Sequence, residues 1–272
     1  MRKEIPMIQL AIEAALEAGK FLKESVGKVL EVECKFGQET NLVTQIDKKA
    51  EEIIINKIRG KHPDHDFLAE ESGSHNKQSE YRWVIDPLDG TLNFTHGVPL
   101  FSVSIAVEVR GEVVAGVVYE PNLDELFTAE KGKGAFLNKK PIRVSRVDTL
   151  IESMMVTGFP YTIRDNPENA VQHFVNLLMK AQGIRRLGSA AVDLCYVACG
   201  RFDGFWEVSL SPWDMAAGVL LVQEAGGRFT DFHGKPSSIY TKQVLATNGL
   251  VHDKVVEILE QGLAGKVLTS RS

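Results

Sequence analysis

Residues 102–119 constrain the fold more than any other stretch of this chain. Val103, Ile105, Val107 and Val109 alternate with smaller or polar residues, Arg110-Gly111-Glu112 supplies a turn, and residues 113–119 run back. A period of two on both sides of a glycine turn predicts an antiparallel hairpin. Its apolar residues then require a covering layer. Ile8, Ala11, Ile12, Ala15, Gly19 and Leu22 share one helical face, which predicts a helix near 5–24; Ala50, Ile53, Ile54 and Ile58 predict a second from about Ile46. Residues 82–85 read as a short strand that Pro87 stops, and 125–129 and 135–137 read as further strands.

Beyond about residue 150 the pattern alternates. Strands are predicted near 153–157, 184–186, 204–207, 228–230 and 244–247, with helices near 167–181, 190–198, 214–225 and 251–260. The tail from Gly265 is expected to fray. The expected fold class is α/β (α+β by some schemes), in two lobes: 1–150, hairpin-rich, and 151–265, alternating. With no Pro/Gly/Ser-rich linker and no internal repeat, the lobes are expected to share one compact body.

The 272 residues suffice to bury about three-quarters of the unfolded surface, so no staples are needed. Lys+Arg total 31 against Asp+Glu 36, a net charge of −5, which lacks the basic excess of a nucleic-acid binder. Three cysteines, Cys34, Cys195 and Cys199, suit reduced thiols in the cytoplasm better than a disulfide scaffold. Glu4, Glu13 and Glu17 interrupt the N-terminal apolar residues, so neither a signal peptide nor a membrane span is expected.

The chemistry concentrates in Trp83-Val84-Ile85-Asp86-Pro87-Leu88-Asp89-Gly90-Thr91-Leu92-Asn93-Phe94. A hydrophobic strand ends in Asp86, Asp89 follows three residues later, and Gly90-Thr91 opens a helical turn. Two carboxylates at a rigid strand end suit a hard cation such as Mg²⁺, and free N–H groups at a helix start suit phosphate. Taken alone, an Asp-Pro turn reads more plainly as solvated loop structure. Glu70-Glu71 after Phe67-Leu68-Ala69, Asp214 after Trp213, and Asp47 after Thr44-Gln45-Ile46 add acids at the ends of elements, where exposed charge or helix capping are the plainer readings.

Together these segments resemble one family. The runs WVIDPLDGTLNFTHG and WDMAAGVLLVQEAGG resemble the two signatures of the inositol monophosphatase family. Ala69-Glu70-Glu71-Ser72, Asn41-Leu42-Val43-Thr44-Gln45-Ile46-Asp47 and Gly188-Ser189-Ala190-Ala191-Val192-Asp193-Leu194 resemble its supporting motifs, in the family's order over roughly residues 10–260. The resemblance implies a Mg²⁺-dependent, lithium-sensitive phosphomonoesterase with an alternating αβαβα layered sandwich of the sugar-phosphatase type, usually a homodimer. Carried over by position, Glu70, Asp86 and the Leu88 carbonyl would hold a first Mg²⁺, and Asp86, Asp89 and Asp214 a second. Glu70 would help position a third. Thr91, oriented by Asp47, would polarise a metal-bound water, and the Gly90 and Thr91 N–H groups would bind phosphate. Glu207, Asp89 and the backbone of Gly188, Ser189 and Ala190 would touch the alcohol. Lys35, Thr44 and Glu71 are softer candidates. Asn41 departs from the Asp often found there, which puts the outer metal's affinity in doubt.

The substrate stays open between inositol monophosphate and fructose 1,6-bisphosphate, histidinol phosphate or 3′-phosphoadenosine 5′-phosphate. An accessory role on the transcription machinery is a further alternative. Four remaining features have plainer readings. His62-Pro63-Asp64-His65-Asp66 reads as a solvated turn, Cys195 and Cys199 as core residues, and Gly132-Lys133-Gly134 as a hairpin turn. Arg185-Arg186 receives no role.

Overall fold

The structure is a computed structural model that describes residues 6–28, 32–34 and 42–267. Two helices come first, α1 (Met7–Ser25) and α2 (Gln45–Arg59), with a small antiparallel ladder between them, β1 (Val32–Cys34) and β2 (Leu42–Thr44). A larger sheet follows: β3 (Asp66–Ala69), β4 (Gly73–His75), β5 (Tyr81–Asp89), then the short α3 (Thr91–Thr95), β6 (Ser102–Val109), β7 (Glu112–Glu120), β8 (Glu125–Glu130), β9 (Ala135–Leu137) and β10 (Lys140–Pro141). Its spatial order is β10-β9-β8-β7-β6-β5-β3-β4, and β3 runs parallel to β5. The rest of the chain forms β11 (Met154–Thr157), α4 (Ala170–Leu178), β12 (Gly183–Arg185), α5 (Ala190–Ala198), β13 (Gly204–Val208), α6 (Pro212–Glu224), β14 (Arg228–Thr230), β15 (Gln243–Thr247) and α7 (His252–Leu263). Its five strands lie in the order β12-β11-β13-β15-β14.

Strand alternation builds the layers. Trp83, Ile85, Val103, Ile105, Val107 and Val117 face α1 and α2, whereas their neighbours Val84, Ala106 and Val118 face α5 and α6. The second sheet repeats the device. Val156, Phe205, Val244 and Ala246 join the α5/α6 core, while Met155, Trp206 and Leu245 pack against α4 and α7. The result is an αβαβα sandwich, and each sheet is covered on both faces. A one-residue slip in any central strand would exchange the contents of two layers, so the register is strongly specified. α6 approaches β7 so closely that a Cβ on Gly116 would stand 2.9 Å from Ala217 Cα. That contact seats α6, and with it Asp214, against the large sheet.

The hairpin at 102–119 and the helix at 190–198 form where the pattern places them. Three boundaries differ. β5 does not stop before Pro87: the register passes from Asp86–Ser104 to Asp89–Ser102 through a bulge, which tolerates a residue without an N–H. The helix expected over 167–181 is only Ala170–Leu178, because Glu168 (φ 51°) and Asn169 (φ 57°), within the 3-10 turn Pro167–Asn169, are left-handed and delay its start. Asp47 is not a cap ahead of α2 but lies inside its first turn. The tail expected to fray lies largely beyond residue 267, outside the described residues.

The expected turn forms with Pro63 and Asp64 exposed, but the flanking His62 and His65 rings are half-buried. Their rings stack at 4.4 Å, His65 also stacks on Tyr81, and its Nδ1 accepts the Trp83 indole N–H at 3.0 Å. Cys195 is buried in the α5 core, and the Gly132–Gly134 turn is held by the Glu224 carboxylate, which accepts both glycine N–H groups.

His252 is fully buried at the start of α7, between the Thr230 and Thr247 hydroxyls, each 2.9 Å from a ring nitrogen. Thr230 gives its proton to the Asp231 carbonyl, so it accepts from Nε2–H; Thr247 then donates to Nδ1. Protonating Nδ1 would set two donors against each other. Burial, then Arg228, push the His252 pKa down to about 4. A folded pKa below the ordinary value of about 6.5 means stability is complete above pH 6.5 and is lost as pH falls towards 4. The urea midpoint is therefore expected to fall less for His252→Gln than for wild type between pH 7 and 4.5. Parallel pH profiles for the two proteins would remove His252 from the acid response.

Candidate active site

The bulge that lets β5 pass Pro87 also aims its acids. Asp86 is 1% exposed, and its Oδ1 accepts the Leu88 N–H at 3.0 Å. Asp89 then stands at the strand's end, where its Oδ2 accepts from Ser189 Oγ at 2.6 Å and the Ala191 N–H at 2.7 Å. Gly90 turns the chain into α3 with φ +100°, and a Cβ there would meet the Gly188 and Leu100 carbonyls at 3.2 and 3.3 Å. Gly188 is left-handed in turn, φ +96°, so two glycine turns meet where β5 and α5 converge.

Thr91 is buried behind this turn. Its Oγ1 lies 2.8 Å from Asp47 Oδ1 and 3.1 Å from the Leu88 carbonyl. Asp47 itself is fully buried in α2. One helical turn further along α2, Glu51 accepts the Glu71 N–H at 2.8 Å and the Ser72 N–H at 2.9 Å. The i, i+4 spacing puts both carboxylates on one helix face: Asp47 holds the Thr91 turn and Glu51 holds the turn bearing Glu70. From the second half of the chain, Asp214 enters at the first turn of α6, where its Oδ2 accepts the Ser211 N–H at 2.7 Å.

These pieces enclose a pocket of about 460 Å³. Its lining includes Glu70, Asp86, Leu88, Asp89, Gly90, Thr91, Gly188, Ser189, Ala190, Glu207 and Asp214, so the structure brings together every expected metal and substrate residue. Asp47 lies behind Thr91. Glu71 is not part of the lining. Lys35 and Asn41 fall outside the described residues, as does the Thr44 side chain. Sequence reasoning missed Asp193, Tyr161 and the positioning residue Glu51, and left Arg186 without a role; Arg186 lines the pocket, while Arg185 does not. The i, i+4 relation of Glu51 to Asp47 was the one available signal.

Six acidic residues (Glu70, Asp86, Asp89, Asp193, Glu207, Asp214) line the pocket, against one cation, Arg186, among the described residues. Burial, then Glu70, Asp89 and Asp214, push the Asp86 carboxyl well up; Asp214 is raised by burial, then by Glu70 and Asp89. Asp89 rises only to about 6, because Ser189 and Ala191 hydrogen-bond its charged form. Glu207 is buried beneath Gly158, whose missing Cβ leaves room for the carboxylate, and burial lifts it to about 8. Among the described residues no three acidic, imidazole or thiol groups stand arranged to hold a metal ion as they are placed. The carboxylates instead share an open pocket and raise one another's pKa, and an all-oxygen, polyanionic donor set of that kind fits a hard divalent cation.

Comparison with known proteins agrees. The model of the inositol monophosphatase family matches residues 4–264. The inositol-1-monophosphatase of Mesorhizobium japonicum is 41% identical over 261 residues, covering 96% of this chain and 98% of that one. The Nus factor SuhB of Pasteurella multocida is 44% identical over 242 residues, 89% of this chain and 91% of the relative. The solved structure of a Thermotoga maritima IMPase superposes with a TM-score of 0.89 at 38% identity, covering 96% of this chain and 99% of that one. The fold and site define a phosphoric monoester hydrolase of a generally metal-dependent class. The chain belongs to the inositol monophosphatase family.

Glu51→Ala is expected to speed amide exchange at Glu71 and Ser72 at least tenfold relative to the β3 amides, and Glu51→Gln, which keeps an acceptor, to speed it less. Unchanged protection in Glu51→Ala would show that the turn is held by other groups.

Proposed function

We propose that the chain hydrolyses inositol monophosphate to inositol and phosphate with Mg²⁺, two to three ions per subunit. The observation that supports this is the charge of the pocket: among the described residues, six acids against one arginine. A phosphomonoester is itself dianionic at neutral pH. Two like charges 4 Å apart near a protein surface repel by about 4 kcal/mol, so a phosphate enters this pocket only if cations enter with it. Glu70, Asp86 and the Leu88 carbonyl would hold one ion, Asp86, Asp89 and Asp214 another, and Glu70 would help position a third. A divalent cation bound there supplies charge neutralisation and makes water nucleophilic near neutral pH.

The protein's own groups complete the reaction. The Thr91 hydroxyl donates to Asp47, which leaves its lone pairs free to accept from the attacking water. The Gly90 and Thr91 N–H groups bind phosphate oxygens. Glu207, Asp89 and the backbone of Gly188, Ser189 and Ala190 contact the alcohol. A water oxygen bonds to phosphorus, the ester P–O bond breaks, and the alcohol leaves with a proton. No side-chain nucleophile and no phosphoenzyme are required. The same reading divides the chain near residue 150, with most metal ligands before that point and Asp214 and the substrate contacts after it. It takes the working form as a cytoplasmic homodimer, lithium-sensitive as the family resemblance implies.

A second reading has one specific support: relatives as similar as 44% carry the name Nus factor SuhB. An accessory role on the transcription machinery would operate through a protein partner, given the net charge of −5. Recovery of RNA polymerase subunits by both wild type and Asp86→Asn would support that role as independent of catalysis.

Phosphate release is expected from inositol 1-phosphate in preference to fructose 1,6-bisphosphate, histidinol phosphate and 3′-phosphoadenosine 5′-phosphate, and only with Mg²⁺ present. Asp89→Asn is expected to lower turnover more than tenfold, because it removes one ligand charge. Full Mg²⁺-dependent turnover in that variant would overturn the ligand assignment. Release from none of the four esters would favour the accessory role.

Lithium at millimolar order is expected to inhibit the Mg²⁺-dependent rate. A rate that stays flat across a Li⁺ titration would set this chain apart from the behaviour its resemblance implies.

A further inference from the structure

Asp193 is a buried carboxyl with one oxygen that no described residue engages. It lies in the first turn of α5 and is 1% exposed, and among the described residues its Oδ1 has no hydrogen-bond partner. Side chains on a helix lean towards its N-terminus, which here carries Ser189 and opens on the pocket that Asp193 helps line. The helix end itself is already served: Ser189 caps it and also donates to Asp89. The Asp193 oxygen is therefore an acceptor left over for a ligand. Buried polar groups without partners are rare in folded proteins, because desolvation without a hydrogen bond is costly.

Its surroundings specify the ligand. Glu207 and Asp89 are the acids that act on Asp193, and Arg186 is the cation that acts on both Asp193 and Glu207. Two buried carboxyls and a guanidinium thus form a subsite beside the Gly90 turn. Carboxyl oxygens in such a place call for O–H donors, and guanidinium N–H groups call for oxygen acceptors; neighbouring hydroxyls on one carbon skeleton offer both. Burial pushes both carboxyls up, Glu207 to about 8, and a protonated carboxyl donates as well as accepts. Among the described residues, a second phosphate would face these acids with only Arg186 to offset them.

We propose that Asp193 is a specificity-determining residue: with Glu207 and Arg186 it reads hydroxyl groups on the alcohol side of the ester and selects polyol monophosphates over plain esters and bisphosphates. The inference rests on the phosphatase reading above and adds a residue to it. A site built to hydrogen-bond a substrate hydroxyl discriminates strongly against a substrate that lacks it.

The test compares wild type, Asp193→Ala and Asp193→Asn, each loaded with Mg²⁺, on inositol 1-phosphate, p-nitrophenyl phosphate and fructose 1,6-bisphosphate. The ratio of kcat/KM for inositol 1-phosphate to that for p-nitrophenyl phosphate is expected to fall at least tenfold in Asp193→Ala, mainly through KM. In Asp193→Asn, which keeps one acceptor oxygen, it is expected to fall less. The preference over fructose 1,6-bisphosphate is expected to narrow as well. Thermal midpoints confirm folding, and if Asp193→Ala does not fold, the Asn variant carries the comparison. An unchanged ratio in a folded variant, or an equal loss on all three esters, would overturn the role of Asp193 and leave the phosphatase reading standing. Wild type inactive on all three would overturn that reading itself.

Discussion

Mutual repulsion among buried carboxylates is the constraint on which this structure turns. Asp86, Asp89 and Asp214 approach one another and Glu70 in a pocket where burial already disfavours charge. Such a group of acids persists only if the surrounding fold holds it. Here the holding is done by backbone N–H donors at Leu88, Ala191 and Ser211, each aimed at one carboxylate. Each donor sits where its own element starts or bends: a bulge in β5, the first turn of α5, and the residue ahead of α6. These are places where N–H groups are free of regular ladder bonds. The irregularities of the fold and the acids of the site are therefore one design.

The layering explains why those irregular points meet. Both sheets are apolar on both faces, so the helix pair α5/α6 is locked between them. α6 is seated by its close approach to Gly116, and the N-terminal ends of α5 and α6 then open on the same pocket as the end of β5. On the other side of the large sheet, α2 supports the site from behind: Asp47 reaches the Thr91 hydroxyl and Glu51 the turn after Glu70. Truncating Asp47 would leave the buried Thr91 hydroxyl only its longer contact to the Leu88 carbonyl, and truncating Glu51 would release the partly buried turn after Glu70.

The pocket also has a polarity of its own. Near the β5 end, four acids and the Leu88 carbonyl offer oxygen alone, which suits hard cations. Towards β13 and α5, Glu207 and Asp193 stand with Arg186, a mixture of acceptors and donors suited to hydroxyls. The gap left by Gly158 lets the Glu207 carboxylate sit flush with the pocket wall. Under the proposed function the two ends would divide the labour of binding, one for the ester's charge and one for its alcohol.

Much of this was legible in the chain itself. Period-two alternation at 102–119 marked the hairpin, and the acid-bearing runs around Asp86, Asp89 and Asp214 marked the site, because both signals lie within a few consecutive residues. The passage of β5 beyond Pro87 was not legible, since a proline stops a ladder unless a partner strand accommodates a bulge, and that partner is β6. The break at Glu168 and Asn169 was hidden for a similar reason: left-handed φ values in polar residues leave no mark on hydrophobic periodicity. Asp193 is the clearest case. Its sequence neighbours make it an ordinary acid in a helix's first turn. Only the packing of α5 between two sheets removes it from water, leaves one of its oxygens without a partner among the described residues, and sets it in the same pocket lining as Glu207. The sequence alone determined which groups are available and which elements carry them, because those depend on local pattern. The tertiary structure decided which acids are buried, which face one another and which are left unpaired, because desolvation and charge repulsion depend on distances between residues far apart in the chain.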